Sequence, residues 1–541
     1  MAKKECYKTI KAKTNATLKV DEDKTVPDGE NVFIEGDNLE VLKLLQNAYH
    51  KKVKMIYIDP PYNKDKDFVY KDTWGDTITN YMIQTDQLRE EGYTSTKTNS
   101  TGRRHTNWLN MIYPRLWLSR NLLKDDGVIF VSIDDDEVHN LRKVMDEIYG
   151  EDNFIAQIVW KSKLGKIGTT STISTTHEYI LIYAKKYEYL SFKMIEKFNK
   201  DRKENLRQWG QADRREDRPS MYYPIIIDGI TVYPMRTNGT DGRWRVGEET
   251  AKELLKEGLL ELVENDGNYS VYRTFPDGIS KIPFDTLLTD IGTTAQGTLI
   301  LKELGLQNYF DYPKPVNLIK HFLNLSTNKN DIILDFFAGS GTTAHAVMDL
   351  NKEDKKNGKI GNRKYILVQL PEATDEKSEA YKAGYKKISD ITKERIKRVI
   401  KKLDYKDGFK SFYLDNSNFQ MFKELKKRPN DSLEDIEKML KMSIFNENIL
   451  TQGAKELDLV YEVGLKNGFT LSAKTQTLQS GIYNFTKLYE DEREFFFCFD
   501  KEIANDIVNA VPKEAKLICY EKALGDSVKL NLHSNLDLET L

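Results

Sequence analysis

The run Val53-Lys54-Met55-Ile56-Tyr57-Ile58, ended at once by Asp59-Pro60-Pro61-Tyr62, constrains the fold more than any other stretch of the chain. A short, near-continuous apolar run reads as a strand buried on both faces, the situation of a parallel sheet covered by helices. The two prolines stop it, because they lack the N–H donor and fix φ at about −65°. On either side the text alternates in the same manner. A strand at Asn31–Glu35 leads into the helical spacing of Leu39, Leu42 and Leu45. After the run, Trp108, Ile112, Leu116 and Leu123 recur at helical spacing, followed by an apolar strand at 128–133, a helix at about 134–149, and strands at 154–160 and 179–183.

A second block of this kind runs from a helix at 316–325 through a strand at 331–336, a glycine-rich turn, a helix to about 350 and a strand at 365–370. Regular structure is expected to begin at Asn31, after a charged arm. Residues 62–107 are polar and too long for a connector, so a functional loop or inserted subdomain is expected there. Residues 190–310 have a different texture of short, mixed elements, and from about 405 a separate α+β domain is expected. The 541 residues, 39% hydrophobic, suffice for more than one core.

Charge and cysteine usage exclude several classes. With 82 Lys+Arg against 84 Asp+Glu the net charge is −2, so a polyanion must be met by local basic surface rather than by an overall positive field. No run approaches the roughly 18 apolar residues of a membrane span and the N-terminus is polar, so no membrane association and a cytoplasmic location are expected. Cys6, Cys498 and Cys519 form no CxxC pair; neither disulfides nor a metal site is expected. A GxxxxGK[ST] phosphate loop is absent, so the chain should not hydrolyse ATP by itself.

Two constellations carry chemistry. Asp59-Pro60-Pro61-Tyr62 stands where open α/β sheets place their ligands, at the carboxyl end of a strand. Its rigid turn presents an acid, a peptide carbonyl and an aromatic face together, which suits a planar base bearing an amino group: Asp59 and the Pro60 carbonyl accept its N–H donors and Tyr62 stacks on it. The bland alternative is a Pro-Pro turn with a capping Asp. The second constellation is Asp335-Phe336-Phe337-Ala338-Gly339-Ser340-Gly341-Thr342-Thr343, a strand running through a glycine turn into a helix. It suits a cofactor cradle, with close backbone approach at the glycines and N–H donors at the helix start. Gly339-x-Gly341-x-x-Ala344 also satisfies the dinucleotide fingerprint, so a nicotinamide-dependent oxidoreductase stays open on this motif alone.

With both motifs together, the chain resembles the S-adenosylmethionine-dependent DNA amino-methyltransferases, in the permuted class whose catalytic DPPY precedes the FxGxG loop. The resemblance extends to Ile34-Glu35-Gly36-Asp37-Asn38, to GVIFVSID at 127–134, to THEYILIYAK at 176–185 and to Tyr312-Pro313-Lys314-Pro315. Within that family the chain is most similar to the modification subunits of type III restriction systems, through DPPYN followed by Phe68-Val69-Tyr70, through Tyr113-Pro114-Arg115-Leu116 and through LDFFAGSGTTAHAV. Phe412-Tyr413-Leu414-Asp415, Ser417-Asn418-Phe419 and residues 461–471 are similar to the C-terminal domain of that group.

The resemblance implies an α/β fold: a Rossmann-like methyltransferase sheet with an inserted target-recognition domain and a C-terminal α+β domain. The implied division is an arm at 1–30, catalytic parts at 31–190 and 311–404, target recognition at 191–310 and a C-terminal domain for dimer or partner contacts at 405–541. S-adenosylmethionine would be held by Asp37, Asn38, Lys314, Pro315, Asp335, Phe337, Ala338, Gly339, Ser340, Gly341, Thr342 and Thr343. The family's ribose-holding acid is replaced by Gln369, with Glu372 as a substitute. A flipped adenine in duplex DNA would be methylated at its amino group by Asp59, Pro60, Pro61 and Tyr62. Asp before Pro-Pro-Tyr favours adenine over the cytosine amino group in this family. The cysteines follow Glu5, Phe497 and Ile518, so a Pro-Cys nucleophile is absent.

For DNA contacts, Arg207, Arg214, Arg215, Arg243 and Arg245 are expected in the middle region, interleaved with Trp209 and Trp244. Residues 201–218 hold six basic but five acidic residues, so an internally paired face is the plain alternative. Lys161, Lys163 and Lys166 have no acid beside them and are expected at phosphates. Residues 386–402, with eight basic and two acidic residues, read as a helix that touches backbone phosphates or is simply exposed. A homodimer and a helicase-nuclease restriction partner follow from the resemblance. A methyltransferase for the cytosine amino group and a solitary regulatory methyltransferase remain alternatives.

Overall fold

The computed structural model describes residues 2–27, 29–64, 88–89, 92–93, 101–165, 173–199, 202–265, 267–275, 278–419, 450–451 and 453–541. The chain divides into two compact units, residues 193–284 and the remainder.

The larger unit is built on a ten-stranded sheet. In chain order its strands are β1 (Ala16–Val20), β2 (Asn31–Glu35), β3 (Val53–Ile58), β4 (Leu123–Ile133), β5 (Phe154–Lys161), β6 (His177–Ala184), β7 (Leu287–Leu288), β8 (Ile332–Asp335), β9 (Lys364–Gln369) and β10 (Phe409–Asn416). Their spatial order is β1-β10-β2-β9-β8-β3-β4-β6-β5-β7. The six from β10 to β4 are mutually parallel, and β6 returns antiparallel to β4. The helices used below are α1 (Ala2–Lys11), α2 (Asn38–Ala48), α3 (Thr101–Leu122), α4 (Val138–Tyr149), α5 (Val316–Ser326), α6 (Thr342–Lys356), α7 (Ile388–Leu403) and α8 (Glu456–Lys466).

All six residues of β3 are buried. Ile56 and Ile58 enter a core shared with Leu42 and Leu45 of α2 and with Ile112 and Leu116 of α3. Tyr57, pointing the other way, stacks on Phe322 of α5 with ring centroids 6.2 Å apart. Helices on both faces therefore explain the run. Its one charged member, Lys54, is 3% exposed and donates to the Asp126 carboxylate at 2.7 Å and carbonyl at 2.6 Å.

Two expectations are corrected. Regular structure begins before Asn31: α1 lies along α3, with Tyr7 edge-on to Trp117 at 5.6 Å, and β1 pairs antiparallel with β10, Leu18 opposite Leu414. Charged neighbours on both sides hide these short elements in the sequence. The chain also returns to the main sheet after residue 405, because β10 inserts between β1 and β2. Beyond it, α8 and a five-stranded sheet of residues 474–540 follow, and Leu471 donates its N–H to Tyr49 Oη at 2.9 Å just past α2. Cys498 and Cys519 are register partners on neighbouring strands there, both free and buried, with burial pushing each thiol up to about 12. Among the described residues no helix is long and apolar enough to cross a membrane.

The smaller unit holds a three-stranded antiparallel sheet of residues 202–205, 260–265 and 268–275, with the helix Glu248–Lys256 and a core of Leu206, Tyr223, Trp244, Leu254 and Val271. Residues 285–310 belong to the larger unit, where β7 pairs in parallel with β5.

Candidate active site

β3 and β8 are adjacent and parallel, so the turns that follow them leave the same sheet edge side by side. The sheet topology thus brings the two sequence motifs together at one edge. After Ile58 the chain turns through the two prolines, and the Trp108 indole of α3 donates to the Pro61 carbonyl at 2.7 Å, fixing the turn from behind. Asn63 follows at φ 62°, a left-handed conformation tolerated by Asn, and donates its side-chain amide to the fully buried Glu137, which also takes His105 Nδ1 at 2.6 Å.

A closed polar array surrounds Asp59. The Tyr62 hydroxyl lies 2.8 Å from Asp59 Oδ1 and 3.1 Å from Glu178 Oε2. The Lys314 ammonium donates to the Tyr62 hydroxyl at 2.9 Å and to Glu178 Oε2 at 3.1 Å, and stands 3.0 Å from Asp59 Oδ1. Its three protons each have an acceptor, which is what a buried ammonium requires. Burial pulls the Lys314 ammonium down, yet the charges of Asp59 and Glu178 outweigh it and leave the group above its ordinary range. Burial raises the Glu178 carboxyl, and Lys314 more than reverses this, leaving it lowered. Lys314, expected at the cofactor, thus has its side chain at Asp59, while its carbonyl accepts from Thr342 Oγ1 of the glycine turn at 3.4 Å.

The turn after β8 is shaped by its glycines. Gly339 has φ +51° and Gly341 φ +82°, both in the left-handed region, and a Cβ on Gly341 would meet Thr392 Cγ2 at 3.0 Å. Asp335 is 3% exposed and accepts from Phe337 N at 3.0 Å and Thr343 Oγ1 at 2.6 Å; burial pushes its carboxyl up to about 7. Gly339 N donates to Gln369 Oε1 at 2.7 Å, so Gln369 holds the turn. Glu372 is half-buried and, among the described residues, its carboxylate has no hydrogen bond or ion pair; burial raises it. Asp37 caps α2, accepting from Leu39 N at 2.7 Å and pairing with Arg115 at 3.2 Å, and Asn38 donates to the Phe336 carbonyl at 2.7 Å. Ser340 and Thr342 are buried under Arg395 of α7, which donates to their hydroxyls at 2.6 and 2.9 Å. Pro315 caps the start of α5, and Phe337 and Ala338 are buried in the turn. Two left-handed glycines, a buried acid and a half-buried acid without a partner suit a small ligand that carries a cationic amine and ribose hydroxyls.

Glu178 and Arg395 were not singled out by the sequence reading, though each left a trace. Glu178 is an acid within an apolar strand, costly unless paired. Arg395 lies four residues from both Ile391 and Val399, on the buried face of its helix, so residues 386–402 are not a uniformly exposed basic helix.

The residues expected at DNA fall into different surroundings. Lys161 and Lys163 are exposed and, among the described residues, unpaired; Lys166 lies outside the described residues. Arg243 is 8% exposed, with Nε on the Ala212 carbonyl, and Arg207 is 7% exposed, its guanidinium 3.9 Å from the Trp209 ring centroid. Both hold the smaller unit together, as does Trp244, whose indole donates to the Tyr223 carbonyl at 2.8 Å. Arg214, Arg215 and Arg245 are exposed; Arg215 pairs with Asp241 at 2.9 Å and Arg245 with Glu204 at 3.0 Å.

Comparison with known proteins gives concordant matches. The chain is 37% identical over 384 residues to the StyLTI Mod subunit of a type III restriction-modification enzyme from Salmonella typhimurium, covering 69% of this chain and 57% of that one. It is 34% identical over 435 residues to the EcoPI Mod subunit of a type III enzyme of Escherichia phage P1, covering 73% and 65%. With the type II methyltransferase M.KpnI of Klebsiella pneumoniae it shares 34% identity over 389 residues, 67% of this chain and 86% of that one. The matches thus span less than two thirds of the two Mod subunits. A family model described as DNA methylase matches residues 53–374, from the first residue of β3 to beyond the glycine turn and Glu372. That stretch builds the Asp59 array and the cradle beside it, and the chain belongs to the DNA methylase family.

Proposed function

We propose that this protein transfers a methyl group from S-adenosylmethionine to the exocyclic amino group of a flipped adenine in duplex DNA, as the modification subunit of a type III restriction-modification system. The observation that carries the reading is the adjacency of β3 and β8, which sets an amine-accepting turn beside a cradle for a small cationic ligand. The cofactor, when bound, supplies an activated methyl group. Asp335 and the turn 337–343 would hold its amino acid end and Glu372 its ribose. Extrusion of the base costs a few kcal/mol, which stacking on Tyr62 helps offset. Asp59 and the Pro60 carbonyl then accept the amine's N–H donors and aim its lone pair at the methyl, so that positioning supplies much of the acceleration. The proton lost by the methylated amine leaves through the Asp59 carboxylate. Family membership favours this over the dinucleotide-dependent oxidoreductase.

In this reading the unit of residues 193–284 recognises the target site, the part beyond β10 serves homodimer or partner contacts, and Lys161, Lys163, Lys166, Arg214, Arg215 and Arg245 meet DNA. A helicase-nuclease chain would supply restriction, and DNA as substrate places the work in the cytoplasm.

The test is transfer of labelled methyl from S-adenosylmethionine into mixed-sequence duplex DNA, followed by nucleoside identification. N6-methyladenine is expected; methyl on the cytosine amino group would overturn the base assignment. Asp59→Ala is expected to abolish transfer with cofactor affinity retained, whereas Gly339→Val weakens cofactor binding itself. Equal loss of cofactor binding in both variants would undo this division of roles.

A further inference from the structure

We propose that Glu178 and Lys314 are positioning residues for the transfer: Glu178 holds the Lys314 ammonium against one oxygen of Asp59, leaving the other oxygen to accept the substrate amine. The proposal rests on the methyl-transfer reading above.

The geometry is one-sided. Tyr62 and Lys314 both contact Asp59 Oδ1, and among the described residues Oδ2 has no partner. The Asp59 side chain is 30% exposed, against 9% for Lys314 and 10% for Glu178, so Asp59 is the open end of an otherwise closed array. One carboxylate would have sufficed to neutralise a buried ammonium. The second, from β6, gives the array a net negative charge that complements the positive charge developing on a methylated amine. The ionisable groups facing Asp59 are Tyr57 of β3, Tyr62, Lys314, Glu178 of β6 and Asp335 of β8, with the Lys64–Asp134 pair near Glu178. Lys314 is the cation in direct contact with Asp59 among the described residues. Without it, Asp59 and Glu178 flank the Tyr62 hydroxyl as like charges, and one of them is driven to hold a proton.

Lys314→Met, Glu178→Gln and the double variant are compared with the wild type for methyl transfer against pH and for melting of the cofactor-free protein at pH 5 and pH 8. In K314M the acid limb of the kcat profile moves up by about one pH unit or more. In E178Q it moves down, because the remaining carboxylate keeps the whole cation, and in K314M/E178Q it returns toward the wild type. Cofactor affinity stays within about twofold throughout. A K314M limb that does not move, or one that E178Q does not bring back, overturns the proposal. So does a shift of the same sign in both single variants, of which E178Q alone remains informative if K314M does not fold.

Melting decides the same question without DNA. In K314M the paired carboxylates have a folded-state pKa above the unfolded value, so stability is present at low pH and lost as pH rises through the folded value. The melting temperature of K314M should therefore lie further below the wild type at pH 8 than at pH 5, with part of the deficit regained in the double variant. An equal deficit at both pH values overturns the dyad. A wild-type protein that methylates no DNA fails the functional reading instead, and the melting comparison still stands.

Discussion

Asp335 shows what a single side chain costs in the free protein. Its carboxyl is held at about 7 by burial, against about 3.9 in an unfolded chain. A raised folded-state value means that stability is fully present below about pH 4 and is lost as pH rises toward 7, a loss on the order of a few kcal/mol. Asn in its place keeps an acceptor for the Phe337 N–H and removes the ionisation. Asp335→Asn is therefore expected to flatten the melting temperature against pH between 4 and 7, to raise it at pH 8 without ligand, and to weaken S-adenosylmethionine binding, read by calorimetry. A variant whose melting curve keeps the wild-type pH dependence would place the titration elsewhere. Such a carboxylate was legible because it sits in a linear motif, as were Asp59 and Gly339. Glu178 and Lys314 were not legible as partners: one is on β6 and the other precedes α5, and the register that puts both on Tyr62 belongs to the folded sheet.

At the scale of elements, α7 acts as a clamp on the cofactor turn. Thr392 donates to the Gly339 carbonyl at 2.5 Å, and Arg395 to Ser340 and Thr342. Burial alone brings the fully buried Arg395 down to about 9, so it remains a cation at neutral pH. The start of the helix is tied to the end of β2, where Glu35 accepts from Lys387 at 2.7 Å and from Lys393 and Ser389 at 2.8 Å. Lys in place of Arg395 keeps the charge but loses the planar fork that reaches two hydroxyls at once. Arg395→Lys is expected to weaken cofactor binding about tenfold, or about 1.4 kcal/mol. Its kcat at saturating cofactor should stay within about twofold of wild type. A kcat loss that saturating cofactor does not restore would tie α7 to the Asp59 array instead. Long, periodic elements such as α3 and α7 and the buried β3 were readable in the sequence because a covered parallel sheet writes its burial directly into apolar runs. β1, at the edge of the main sheet, and β10 beside it cannot be assigned to that sheet from the text, since strands with mixed exposure carry their partner choice in register rather than in composition.

For the whole molecule, a net charge of −2 leaves DNA binding to whichever cations are not already spent inside the protein. Arg207 and Arg243 are spent on the core of the smaller unit, a distinction that sequence spacing does not carry, because an arginine stacked on Trp209 and one reaching a phosphate look alike in text. Among the described candidates, Lys161, Lys163 and Arg214 have no ion pair, whereas Arg215 and Arg245 must exchange Asp241 and Glu204 for phosphate. Each phosphate neutralised releases about 0.9 counterion from duplex DNA, so three to five contacts give a slope of log Kobs against log salt of about −2.7 to −4.5. Fluorescence anisotropy with a fixed duplex from low to moderate salt measures it. Lys161→Gln with Lys163→Gln should reduce the slope by about 2 and weaken binding by a similar factor across unrelated duplexes, because phosphate contacts carry no sequence information. Arg243→Gln should instead lower the melting temperature of the protein. A flat salt dependence, or a slope that the lysine pair does not change, would remove the larger unit's basic loop from the DNA interface.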